Sequence, residues 1–119
     1  TIAIARGAGS LPTANVLYRD NVPKAWVRYA ATGAGDAITD DFNVLSISRV
    51  GEGIYLVNLA TAMANASYAV LTTAVDAGVA ALYSYAEITT TSQFQLTSRT
   101  DAGVATDGNQ TSALVFGDQ

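Results

Sequence analysis

Val, Ile, Leu and Tyr crowd residues 42–50 and 54–59, two runs separated by Gly51-Glu52-Gly53. Branched and aromatic runs around a short glycine-containing loop predict a β-hairpin. Glycine suits such a reversal because it adopts the positive φ that a branched residue resists. In the second run Tyr55, Val57 and Leu59 fall on one side of the strand, Ile54 and Leu56 on the other. A half-exposed antiparallel strand alternates apolar with polar, whereas this one is apolar on both sides until Asn58. Both faces are therefore expected to meet protein, with Ile54, Leu56, Tyr55 and Val57 at an interface between copies.

The rest of the chain divides by the same criteria. Residues 1–22 hold no sustained period and mix small residues with Gly7, Gly9 and Pro12, which predicts an extended N-terminal arm. Ile2, Ile4, Val16, Leu17 and Tyr18 are too apolar for a free tail and are expected against a neighbour or a sheet edge. Residues 23–119 form the folded domain. A strand is expected over 24–30, with Trp26 and Arg28 facing one way and Ala25, Val27 and Tyr29 the other; the large Trp26 ring is assigned to the core. Residues 31–41, with Gly33, Gly35 and three aspartates, read as a turn around Ala37-Ile38.

Residues 60–67 read as a connecting loop, followed by a strand over 68–75 and a reversal at Asp76-Ala77-Gly78. Residues 79–85 predict a strand with Leu82 facing away from Tyr83 and Tyr85. The Thr-rich 87–92 suits an exposed strand or loop. In 93–98 the period of two is regular, Phe94 and Leu96 inward and Gln93, Gln95 and Thr97 outward. Residues 99–111 are polar and turn-rich, a candidate long exposed loop, and 112–116 form the last strand. Six or seven short strands with turns between them predict an all-β fold, an antiparallel β-sandwich of jelly-roll-like or knob form.

Composition narrows the function. Only 13% of the residues are charged, against roughly 25% in ordinary soluble domains. That suggests surface hidden against partners. No apolar run approaches the roughly 20 residues that cross a bilayer, which argues against membrane insertion. A net charge of −4 with dispersed basic residues argues against nucleic acid. The chain has no cysteine and no histidine, which removes disulfides, thiolate nucleophiles, imidazole bases and metal sites built on either residue.

Paired carboxylates are the remaining catalytic option, at Asp36, Asp40 and Asp41 or at Asp101 and Asp107. Glycosidases set two carboxyls about 5–5.5 or about 6.5–9.5 Å apart across a sugar cleft. Neither group adjoins aromatic platforms, and Asp is a common turn former. Calcium ligation around 36–41 or at Asp107-Gly108-Asn109 lacks the ordered ligands and closing Glu of an EF-hand. No catalytic, cofactor or metal residue is therefore assigned. Surface recognition remains, through loop residues Asp101, Thr106, Asp107, Asn109 and Gln110, with Tyr83 and Tyr85 if they are exposed.

At PKAWVRY, in DDFNVLSISRVGEGIYLVNLATAMANASYAV and in ALVFGDQ the chain resembles domains of bacteriophage tail-fibre and other virion structural proteins. Those domains share a PKAW-V opening, an FNV-S-I strand, a G-Y-V-N strand, an A-M-NA-YAV segment and a VFG ending. The similarity spans about residues 17–75 and the final strand. It implies a non-enzymatic virion protein, a homotrimeric tail-fibre or receptor-binding tip that meets a host glycan or protein beside other virion proteins. Two alternatives stand beside it: a subunit that decorates the capsid or joins tail components, and a carboxylate-based polysaccharide hydrolase.

Overall fold

The computed structural model describes residues 3–5, 16–18, 22–31, 36–76, 78 and 81–119. Ten strands and no helix make up the described secondary structure. Within the predicted arm, β1 (Ala3–Ala5) and β2 (Val16–Tyr18) pair in parallel with each other, Ala3 opposite Val16. The other residues of the predicted arm, except Val22, lie outside the described residues, as do the glycines expected at 33 and 35.

The remaining eight strands form two four-stranded antiparallel sheets packed face to face, the predicted sandwich. One sheet has the order β4-β3-β10-β7, from β3 (Ala25–Ala31), β4 (Asp36–Phe42), β7 (Ala69–Val75) and β10 (Gln110–Phe116). The other has the order β5-β6-β9-β8, from β5 (Val44–Gly51), β6 (Ile54–Leu59), β8 (Leu82–Thr90) and β9 (Gln93–Thr100). Inward residues at a period of two fill the space between them. Ala25, Val27, Tyr29, Ala113 and Val115 come from the first sheet, and Ile47, Tyr55, Val57, Leu59, Phe94 and Leu96 from the second. Tyr29 and Tyr55 meet across the gap with ring centroids 5.2 Å apart and tilted planes, and Tyr68 packs edge-on against Phe94 at 6.4 Å. Each such fully buried large apolar side chain contributes roughly 1.5–3 kcal/mol relative to exposure.

The central hairpin forms as its pattern predicts. Its turn is Glu52-Gly53, and Gly53 takes φ +69°. The position also has no room: a Cβ there would lie 2.6 Å from both the Ser98 carbonyl oxygen and the Thr106 nitrogen. Tyr55 and Val57, expected at an interface between copies, are instead buried in this chain's own core. The opposite sheet supplies the protein that their apolar character called for. Ile54 and Leu56 stay on the outer face, half-buried.

Three further readings change. The segment read as a turn at 36–41 is strand β4, paired with β3 and carrying a register shift opposite Arg28 and Tyr29. Its aspartates are tolerated because an edge strand keeps one side in solvent, where charge also discourages strand addition. Trp26 is half-buried on the outer face instead of in the core; the alternation that put it beside Arg28 prevailed over ring size. Residues 82–90, read as two pieces, make one long edge strand.

Side chains close the ends of the sandwich. Asn43, at φ 56°, is the single residue between β4 and β5 and so turns the chain from one sheet into the other. Its amide donates to the carbonyls of Lys24 and Thr61, and its Oδ1 accepts from the Thr61 N–H at 2.7 Å. Residues 60–68 form a loop, as expected, anchored by buried Met63 and Tyr68. The Tyr68 hydroxyl lies 2.8 Å from the Thr90 carbonyl and 3.0 Å from that of Gln93, a partner at each end of the β8–β9 turn.

Candidate recognition surface

The two outer faces of the sandwich differ in chemistry. On the β4-β3-β10-β7 sheet, strand register aligns Phe42, Trp26, Leu114 and Leu71 in one row across all four strands. Phe42, Leu114 and Leu71 are 54%, 43% and 58% exposed, a large apolar surface for so small a domain. A shallow apolar trough lies along Leu71, Thr73, Ser112 and Leu114. The neighbouring row sets Arg28 opposite Asp40, both exposed, yet no ion pair joins them among the described residues.

The outer face of the β5-β6-β9-β8 sheet is mostly polar. Gln93, Gln95 and Arg99 project from β9, and Tyr83, Tyr85, Glu87 and Thr89 from β8; Thr97, expected outward, shares the register of this face but is covered by its neighbours and buried. A chain of side-chain hydrogen bonds crosses it: Gln93 Nε2 donates to Asn58 Oδ1 at 2.8 Å, and Asn58 Nδ2 donates to Ser46 Oγ at 3.1 Å. Gln95 reaches Thr97 Oγ1 at 3.4 Å. Ile54 and Leu56 sit within this polar field, opposite Thr97 and Gln95.

At one end of this face stand Tyr83 and Tyr85, 47% and 42% exposed. Their positions i and i+2 on one strand put both rings on the same side. The centroids are 6.4 Å apart and the planes within 23° of parallel. Arg99, directly across from Tyr83, is fixed between two acceptors, Nε donating to the Tyr85 hydroxyl at 3.3 Å and Nη1 to the Gly103 carbonyl at 2.8 Å. The hydrogen bond from Arg99 lowers the Tyr85 pKa below the ordinary phenol value, and the same bond raises that of Arg99.

The predicted loop site is only partly a surface site. Asp101, Asn109 and Gln110 are exposed, Gln110 as the first residue of β10. Asp107 is a structural tie: it accepts from Arg49 Nη2 at 2.8 Å, the Gly53 N–H at 2.7 Å and the Tyr55 hydroxyl at 3.2 Å. Burial would raise its pKa, but the hydrogen bonds from Arg49 and Gly53 outweigh that and hold the carboxyl below its usual value. Burial, with the Asp107 charge added, pushes the Tyr55 hydroxyl up. The Thr106 N–H donates to Ser98 O and its hydroxyl to Val104 O, so this residue also serves the loop. The loop expected to project therefore folds back onto the end of β9 and the hairpin turn.

The aspartates of β4 are spread along the strand. Asp36 and Asp40 stand four residues apart on β4, roughly 13 Å along an extended strand. Asp40 and Asp41 point to opposite faces. Among the described residues no three acidic side chains converge as a metal site would need. Arg99 was missed from sequence, although continuing the outward series Gln93, Gln95, Thr97 by one step would have found it. The apolar row was missed because it exists only once four strands are in register. No family model matches the chain, and no curated protein or solved structure matches it.

Proposed function

We propose that this chain is a non-enzymatic structural domain of a bacteriophage particle, a homotrimeric tail-fibre or receptor-binding tip that attaches the virion to its host. The observation behind this reading is a difference between the outer faces: one carries an apolar row across all four strands beside a polar row, and the other is mainly polar with a fixed aromatic pair. The apolar row Phe42–Trp26–Leu114–Leu71 faces the other copies, where burial removes it from water. Arg28 and Asp40 flank that row with opposite and unjoined charges, which suits a surface that meets its own copy. The opposite face, with Tyr83, Tyr85 and Arg99, meets the host. The sequence resemblance to tail-fibre domains points the same way.

The test is adsorption. Free protein added to host cells before the phage is expected to reduce adsorption in proportion to its concentration, and the Tyr83→Ala/Tyr85→Ala double variant is expected not to. Protein that leaves adsorption unchanged but decorates purified heads would replace this reading with a capsid role. Release of reducing sugar from host polysaccharide, lost in Asp40→Asn or Asp101→Asn, would replace it with a hydrolase.

A further inference from the structure

The attachment role leaves the ligand's chemistry open, and any ligand class given to the polar face rests on that role. We infer that the Tyr83–Tyr85–Arg99 surface binds a saccharide chain bearing carboxylates. Three features of the face lead there. Two phenol rings, near parallel and 6.4 Å apart, are left in solvent on a strand whose inward residues are already packed. An aromatic face carries negative charge density and attracts positively polarised hydrogens, which the C–H faces of a pyranose supply while its hydroxyls point outward. Side-chain amides of Gln93, Gln95 and Asn58 continue from the rings across β9 and β6, oriented by hydrogen bonds of Gln93 to Asn58, Asn58 to Ser46 and Gln95 to Thr97. They offer further hydroxyl partners along an extended ligand.

Arg99 selects the acid. Two of its five N–H donors are placed, on Tyr85 and Gly103, and they fix the guanidinium beside the rings. The other three have no acceptor, and no carboxylate pairs with it, among the described residues. Glu87, two positions beyond Tyr85 on the same face, is near enough to act on the Tyr85 hydroxyl but makes no ion pair with Arg99 among the described residues. A planar fork of free donors fits a carboxylate in two-point contact. A protein partner would call for a packed apolar pocket that this flat polar face lacks. Nucleic acid would need a basic stripe to neutralise successive phosphates, whereas Arg99 is the one cation on these strands and suits a single carboxylate held beside the rings.

Affinity electrophoresis of the full chain tests this, with polygalacturonate, hyaluronate or polysialic acid in the gel and dextran, mannan and carboxyl-reduced polygalacturonate as neutral counterparts. At least one acidic polymer is expected to retard the protein, and its neutral counterparts are expected not to. Tyr83→Ala/Tyr85→Ala should abolish retardation. Arg99→Lys, which keeps the charge but loses the fork, should weaken it roughly tenfold, about the worth of one charge-assisted hydrogen bond. All three side chains are at the surface, and a thermal melt of each variant shows that it is folded. No retardation by any acidic polymer, equal retardation by neutral ones, or an Arg99→Lys variant that binds as well as the parent would each overturn the inference. The adsorption assay separates the two levels. Protein that blocks adsorption but ignores acidic glycans overturns the ligand class alone; protein that binds them but leaves adsorption untouched overturns the attachment role alone.

Discussion

Asp107→Ala gives the sharpest test of how the loop over 101–109 is held. The substitution removes one carboxylate that accepts three hydrogen bonds. Gly53 is buried, so its N–H is left without an acceptor, at about 1–3 kcal/mol. The Tyr55 hydroxyl, on a buried side chain, loses its partner for about 1 kcal/mol more. The Arg49 arm of the pair lies in solvent, where screening leaves it a minor part. The expected loss is about 3 kcal/mol, near 10 °C in Tm for a domain of this size. Urea unfolding followed by tryptophan fluorescence reads it directly. Asp107→Asn keeps the shape and an acceptor and should lose about half as much. The pH dependence has a definite sign. Because the carboxyl is depressed in the folded state, its stabilisation is complete above the unfolded value near 3.9 and disappears as pH falls through the lower folded value. The gap between the parent and Asp107→Asn should therefore be widest at neutral pH and close below about pH 4. A loss under about 1 kcal/mol in Asp107→Ala would refute the anchoring role.

Other expected outcomes concern single positions. Gly53→Ala combines a positive φ with backbone atoms 2.6 Å from the new methyl, so it should cost more than about 3 kcal/mol and leave little folded protein by circular dichroism. Thr111→Val should be neutral or stabilising by up to about 1 kcal/mol in the same urea assay, because the buried Thr111 hydroxyl has no hydrogen-bond partner among the described residues. Leu114→Lys should convert the proposed oligomer to monomer in sedimentation velocity while Leu56→Lys should not, since Leu114 belongs to the apolar row and Leu56 to the polar face. An oligomer insensitive to Leu114→Lys would move the assembly surface elsewhere.

What could be read from the residues was whatever depends on neighbours one or two positions away. The Gly51-Glu52-Gly53 reversal, the alternation of Phe94 and Leu96, and the opposed facing of Leu82 and Tyr83 all come from local geometry, and all appear in the fold. Strand β4 was illegible because its composition, with three aspartates, is that of a turn; only its place at a sheet edge makes it a strand. The role of Asp107 was illegible for a different reason. Its partners at 49, 53 and 55 are brought to it by the chain's return through β9, and no spacing in sequence encodes that approach. The interface assigned to Tyr55 and Val57 failed on the same ground. A doubly apolar strand states that both sides are covered, not which polypeptide covers them.

Strand β10 lies between β3 and β7 and places Ser112 against Arg28. The first strand of the sandwich thus waits for the last. During synthesis the inward side chains of β3 have no neighbour on that flank until residues 110–116 leave the ribosome. Closure is a late event with a large loop entropy to overcome, which makes folding slow and leaves nascent chains prone to stick to one another. Shortening the protein ahead of residue 110 would remove the strand that joins β3 to β7, so tags and fusions belong at the ends and not inside that span.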